Sequence, residues 1–257
     1  MNSPARIRLF IECSYNGSNY SGWQRQPGDR SIQQTVEEAF SLILREDITI
    51  TGCGRTDAGV HAQQYYFHFD TGQEFNSDLL NRFNKYLPED IALHAAYHVP
   101  DEASARYDAV RRTYQYHLRF QKDALAPNLS LWYPYKDSLD IDAMRNMSTL
   151  LRQYETFKPF CKEGSDAKHY RCTLFEADWV CTESEAIFTI SANRFLRGMV
   201  RLIVGTSLQI GRGMLSLEEV KAALDQQSPM PRADSAPAQG LHLVGVEYPS
   251  GLLKKLE

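Results

Sequence analysis

Polar and apolar residues alternate from Arg6 to Tyr15, with Ile7, Leu9, Ile11 and Cys13 on one side. That is the period of a half-buried strand. Asn16-Gly17 is a strong turn signal after it. Ser31-Ile32-Gln33-Gln34 reads as a capping box, and Ile32, Val36, Ala39, Phe40 and Ile43 follow at helical spacing. A β-branched run, Ile48 to Thr51, and an alternating aromatic run, Gln63 to Asp70, predict two further strands. Asn76 or Ser77 caps a second helix bearing Leu79, Leu80 and Phe83, which Leu87-Pro88 stops. Ile91 to Val99 is a fourth strand. The order is β-α-β-β-α-β, the split βαβ pattern of ferredoxin-like domains.

The same order then returns without visible sequence identity. Arg112 to Phe120 predicts a strand, and Asp140 caps a helix through Met144, Met147, Leu150 and Leu151. Strands over Tyr170 to Val180 and Ala186 to Ala192 lead to a helix over Phe195 to Gln209, and Leu241 to Tyr248 closes the set. An extra helix, Ser216 to Leu224, opens with the capping box Ser216-Leu217-Glu218-Glu219, and a Pro-rich surface loop runs from Ser228 to Pro237. The expectation is an α+β fold of two ferredoxin-like halves, residues 1–104 and 105–257. Antiparallel sheets would carry helices on one side and frame a central cleft for a large ligand. A scaffold of this kind does not name a function.

One connection is longer than strand pairing requires. Thr51-Gly52-Cys53-Gly54-Arg55-Thr56-Asp57-Ala58-Gly59-Val60-His61-Ala62 joins two predicted strands, where a hairpin needs two to five residues. Gly52, Gly54 and Gly59 permit positive φ and close backbone approach. Asp57 and Arg55 sit between them as a carboxylate and a guanidinium. Read as physics alone, an Asp-Ala-Gly turn with Asp57 bonding its own backbone serves equally well.

Composition narrows the choices. The chain has 257 residues, 43% of them apolar and 11% aromatic, enough for a sizeable core. No apolar run approaches a membrane span, and Met1 to Arg6 enters a strand pattern without the apolar region of a secretory signal. The reading is a cytoplasmic protein. Cys13, Cys53, Cys161, Cys172 and Cys181 are odd in number and form no C-x-x-C pair, against a disulfide framework or a zinc site. His94 and His98, four apart on a strand, are too distant to share a metal. Net charge is −4, yet the basic residues are clustered. From Ala103 to Lys122, Arg106, Arg111, Arg112, Arg119 and Lys122 face the single acid Asp108, and Ser191 to Gly213 holds four arginines and no acid. A basic face on an acidic protein suits phosphate recognition. Arg194, Arg197 and Arg201 would form one stripe if that segment is helical.

Arg55-Thr56-Asp57-Ala58-Gly59-Val60-His61-Ala62 resembles the signature of the tRNA pseudouridine synthase A family. Tyr15-Asn16-Gly17-x-x-Tyr20-x-Gly22-Trp23-Gln24-Arg25-Gln26 is similar to its N-terminal motif, with Asn16 where Asp is usual. Further matches are Asn84-x-x-Leu87-Pro88-x-Asp90-Ile91, Ser104-Ala105-Arg106-Tyr107-x-Ala109-x-x-Arg112-x-Tyr114-x-Tyr116, Phe195-Leu196-x-x-Met199-Val200-Arg201-x-Ile203-Val204-Gly205 and Ala236-Pro237-Ala238-x-Gly240-Leu241-x-Leu243. The chain departs at Thr156 to Phe160 and at Lys168 to Cys172. The resemblance implies that Asp57 is the catalytic carboxylate, that Arg201 pairs with it and that Tyr114 lines the site. Arg55, Thr56 and Arg25 would bind substrate, and the cleft would hold RNA.

The implied reaction isomerises uridine to pseudouridine in the tRNA anticodon arm, at positions 38 to 40. Neither redox nor transfer to a second molecule is involved, so no cofactor and no metal is expected. The partners implied are tRNA and a second copy of the chain. For Tyr114 and Tyr116, on one face of a strand with Arg112, a core pair and a base-stacking platform both remain open. Two other functions also fit parts of the pattern. One is a non-catalytic RNA-binding module, which usually carries an aromatic RNP signature absent here. The other is a hydrolase pairing Asp57 with His61.

Overall fold

The chain is described here from a computed structural model covering residues 6–165, 167–232 and 234–256. Met1 to Ala5, the stretch expected to lack a secretory signal, lie outside the described residues, as does Ala233 of the Pro-rich loop. In chain order the elements are β1 (Ile7–Tyr15), α1 (Ile32–Leu44), β2 (Thr51–Gly52), β3 (His61–Thr71), α2 (Ser77–Tyr86) and β4 (Ile91–His98). Then come β5 (Arg111–Arg119), β6 (Leu131–Trp132), α3 (Ile141–Leu151), β7 (Leu174–Cys181) and β8 (Glu185–Ala192). The last are α4 (Met199–Gly211), α5 (Leu217–Gln226), β9 (Leu241–Glu247) and β10 (Lys254–Lys255). β1 pairs antiparallel with β3 and β4, β4 with β10, β3 with β2, and β8 with β5 and β7, while the short β6 runs parallel to β5. The fold is α+β, and the order of its principal elements follows the doubled β-α-β-β-α-β pattern.

Residues group into two compact units: the chain to Val110 together with Leu243 onward, and Arg111–His242. In the first unit the strand order is β10-β4-β1-β3, with β2 on β3 and β9 beside β3. The alternation expected for β3 is absent, because its residues from Tyr65 to Phe69 are all buried. One face takes α1, where Phe40 meets Phe67 and Phe69 edge-on and stacks on Phe83 of α2 at 4.0 Å. The other face holds Tyr66 and Phe10 against Tyr248, which follows β9. The return of the C-terminal chain covers what would otherwise be a solvated face. Sequence reading placed Leu241 to Tyr248 in the second half, whereas the contacts put Leu243 onward with the first. Val246 N–H donates to Gln64 of β3, and Val110 N–H donates to the Glu247 carbonyl.

In the second unit, β8 lies between β5 and β7. Tyr114, Tyr116 and Leu118 alternate inward from β5, as the period-2 pattern requires. Trp179 of β7 packs beside Phe188 of β8 and donates its indole N–H to Ser207 Oγ of α4. The paired indole avoids the cost of a buried orphan donor.

Ser31, Asn76, Asp140 and Ser216 each cap a helix through the side chain. Only Ser216 with Glu219 closes both bonds of a capping box; Gln34 turns instead to Glu38 at 2.8 Å. The expected helix from Phe195 starts only at Met199, because Gly198 adopts φ +70° immediately before it. The basic stripe is therefore corrected: Arg194 and Arg197 precede the helix and Arg201 alone lies within it. Arg194 bonds the His169 ring, and Arg197 donates to the Gly164 carbonyl.

His68 is a pH-sensitive part of the first core. Its Nδ1 accepts the Ala105 N–H at 3.1 Å, and its ring lies along Phe10. Burial, and after it the Arg8 guanidinium, lower its pKa from the usual 6.5 to about 4. The folded state thus keeps the ring neutral while the unfolded chain takes a proton below pH 6.5, so stability falls as pH drops from 6.5 toward 4. Urea unfolding across that window should show a shallower pH slope for His68→Gln than for the native chain. Equal slopes would contradict this account.

Candidate active site

The loop that carries Asp57 is fastened on both sides. β2 pairs with β3 through Thr51–His68 and Gly52–Phe67, and Cys53 N–H donates to the Tyr66 carbonyl. Tyr65 donates its hydroxyl to the Gly54 carbonyl. Its ring stacks on Trp23 with centroids 4.0 Å apart. The Thr56 carbonyl accepts Trp23 N–H at 3.2 Å, and its hydroxyl bonds the Tyr15 hydroxyl at 2.9 Å in the interior. Val60 N–H closes the turn onto the Asp57 carbonyl, and Gly59 N–H reaches the Tyr20 carbonyl.

Glycine is required where the N-terminal loop meets this one. A Cβ on Gly22, which has φ +102°, would lie 2.4 Å from the Thr56 carbonyl oxygen. On Gly17 it would lie 2.0 Å from the Val60 carbonyl oxygen. The two family-like motifs are thus pressed backbone to backbone. Thr56 is buried, Asp57 is partly accessible and Arg55 is exposed with its Nε donating to Gln24 Oε1 at 3.1 Å. Arg25 is exposed as well, with Nη1 3.4 Å from Glu37. An ordered backbone presenting an accessible carboxylate suits chemistry on a bound substrate better than a solvated turn does. His61, the base a hydrolase would need, is buried at the start of β3, where its Nδ1 accepts Gly17 N–H at 3.1 Å.

In the second unit Arg201 lies in the first turn of α4, partly buried. Its Nε donates to the Ala236 carbonyl at 2.7 Å, while Ala236 N–H donates back to the Arg201 carbonyl at 2.9 Å. Gly205, one turn on, lets that loop approach: a Cβ there would sit 1.8 Å from the Asp234 carbonyl oxygen. Tyr116 is fully buried and donates to the Pro237 carbonyl at 2.9 Å. Burial raises its pKa well above the usual 10, and the Arg201 charge works in the opposite direction. Tyr116 is therefore a core residue. Tyr114, also on β5, is 8% exposed and meets Phe195 edge-to-face at 5.2 Å.

Residues 13–108 and 155–249 match the family described as tRNA pseudouridine synthase. The chain belongs to that family. It is 42% identical over 250 residues to the tRNA pseudouridine synthase A of Porphyromonas gingivalis, covering 95% of this chain and 98% of the relative. The protein of that name from Parabacteroides distasonis is 40% identical over 247 residues, 95% and 97% of the two chains. The one from Caldicellulosiruptor bescii is 36% identical over 245 residues, 93% and 99%. The chain is thus an isomerase that makes pseudouridine in tRNA. The RNA-binding module without catalysis and the hydrolase fall away.

For this synthase, motif reading named the loop but not what holds it. Tyr15 at the end of β1 and Trp23 after the first turn stand in the sequence only as residues of the N-terminal motif, yet both are buried supports of the Asp57 loop. Burial of Trp23 at 2% exposure was the missing information. Among the described residues, no group of three or more His, Cys, Asp or Glu is arranged to hold a metal ion, and no helix is long and apolar enough to cross a membrane.

Gly22→Ala tests the loop contact. The added methyl must displace the Thr56 carbonyl and also strains a positive φ, so turnover of tRNA should fall at least about tenfold. Melting temperature should drop by only a few degrees. Native turnover in this variant would show that the contact does not set the loop.

Proposed function

We propose that this synthase acts on uridines 38 to 40 of the tRNA anticodon arm with Asp57 as its catalytic carboxylate and Arg201 as the partner of that carboxylate. The supporting observation is the loop itself. Asp57 stands partly accessible in a segment whose neighbouring atoms are tied to β1, β3 and the N-terminal loop. A carboxylate in a closed, substrate-filled site is pushed toward its neutral form, and a guanidinium beside it favours the charged form needed for nucleophilic or electrostatic catalysis. Arg201 is suited to that task because Ala236 fixes its Nε and hence the plane of its guanidinium.

The reaction conserves every atom of the nucleoside apart from proton exchange with water. The N1–C1′ bond of uridine breaks, the uracil turns, and a C5–C1′ bond forms; the C5 proton departs to solvent and N1 regains one. Tyr114 stacks on the uracil during this rotation. A base paired in the stem must first leave the helix, which costs a few kcal/mol. Arg55 and Arg25 offset that cost by holding backbone phosphates, with Arg55 also occupying the vacated space. Thr56 contributes through its fixed backbone beside the substrate. The working form is a cytoplasmic homodimer.

Release of tritium from a tRNA transcript carrying C5-tritiated uridine reads this chemistry directly. Release should stop when uridines 38 to 40 are replaced by cytidine. Release that persists after that replacement would contradict the assigned positions.

A further inference from the structure

Helix α1 carries an unusual burden for an amphipathic element: Gln33 and Glu37, one turn apart on its inner face, are 9% and 6% exposed. Apolar side chains there would avoid the desolvation of an amide and a carboxylate. Their hydrogen bonds explain the choice. Glu37 Oε1 accepts the Ile50 N–H at 3.1 Å and Gln33 Nε2 at 3.0 Å. Gln33 Nε2 also donates to the Ile50 carbonyl at 3.1 Å. Gln33 Oε1 accepts Arg25 N–H at 3.0 Å and Gln24 Nε2 at 3.2 Å. Gln24 Oε1 then accepts Arg55 Nε at 3.1 Å.

The orientation of both amides in this chain is dictated by chemistry. Ile50 offers Gln33 a carbonyl, so Gln33 must present its NH2 on that side. Arg25 offers a backbone N–H, so Gln33 must present its oxygen on the other. Gln24 is then forced to turn its NH2 toward Gln33 and its oxygen toward the arginine, whose Nε only donates. Donors and acceptors run in one sense from a buried carboxylate to a guanidinium two residues from Asp57. The exposed Arg25 side chain, 60% accessible, is attached to the same carboxylate. The Arg25–Glu37 ion pair at 3.4 Å is long and mostly solvated, so it adds little by itself.

We infer that the Glu37–Gln33–Gln24 relay is a positioning device for Arg55, holding its guanidinium in the pose that stabilises an extruded uridine. This rests on the role proposed for Arg55 above. A long exposed arginine has several rotamers, and restricting them in advance reduces the entropy lost when RNA binds. Gln24 and Gln33 are positioning residues, since neither is assigned a contact with the reacting base. The relay also explains why a glutamine follows Trp23: a leucine there would leave Gln33 Oε1 with one donor fewer and Arg55 without its acceptor.

The test compares two tRNAs that differ only in the pairing of the target uridine. In one, uridine 39 is paired in the stem; in the other, a mismatch opposite it makes extrusion cheap. Gln24→Leu, a change at a partly exposed loop position, should lower single-turnover rate on the paired tRNA about tenfold and on the mismatched tRNA less than about threefold. Gln33→Met, the second variant, should show the same bias, with folding of both checked by thermal melting. Equal slowing on the two tRNAs, or no slowing on either, overturns the relay. The native enzyme is run alongside, and its failure to modify the paired tRNA would instead count against the proposed function.

Discussion

The contact between Thr56 and the N-terminal loop fixes the backbone from which Asp57 emerges. The Thr56 carbonyl is taken by Trp23 N–H, its hydroxyl by Tyr15, and Gly22 leaves no room for a side chain against it. A buried hydroxyl pair and a backbone bond of this kind resist displacement because breaking them orphans polar groups in the core. The residue that follows Thr56 is Asp57, so the same contact sets where a carboxylate emerges from the loop. β1, the first turn and the stacked Trp23–Tyr65 pair all converge on that one peptide.

Arg201 is held by a parallel device in the second unit. Its backbone and its Nε both bond Ala236, and Gly205 on the same helix admits the loop that carries Ala236. Asp57 and Arg201 thus owe their poses to different sequence motifs that have no local reason to occur together. At each place a glycine lets backbone come close: Gly22 of the N-terminal motif against Thr56, and Gly205 against the loop that carries Ala236. Such positions tolerate change poorly, because a methyl group placed against a carbonyl oxygen has nowhere to go.

Much of the fold was legible in the amphipathic pattern. β1, α1, α2, α3 and β8 emerge from periodicity and from caps whose side chains do bond the helix N-terminus. Periodicity placed the strand at Gln63 to Asp70 correctly but not its environment, since β3 is buried on both faces where alternation implies one solvated side. It failed before α4, because apolar spacing continues through Phe195 and Leu196 while Gly198 turns the backbone left-handed. The grouping of the last strand was also invisible, since no local signal says with which of the two compact units a strand will group.

Site residues were legible to a different degree. The Asp57 loop declared itself by length, glycine content and family resemblance. Its supports did not, because Tyr15, Gln33 and Glu37 look like ordinary strand and helix residues until their burial and partners are known. The Tyr114–Tyr116 pair shows the same limit. Both point inward from β5, and it takes the full burial of Tyr116 and its bond to Pro237 to mark it as core.

The most direct measurement is the single-turnover yield of pseudouridine from anticodon-arm tRNA with Asp57→Asn, alongside its tRNA affinity. The substitution keeps size and hydrogen-bonding reach while removing the charge. The account predicts no product, with dissociation constant and melting temperature close to those of the native enzyme. Pseudouridine formed at a rate near the native one would contradict it.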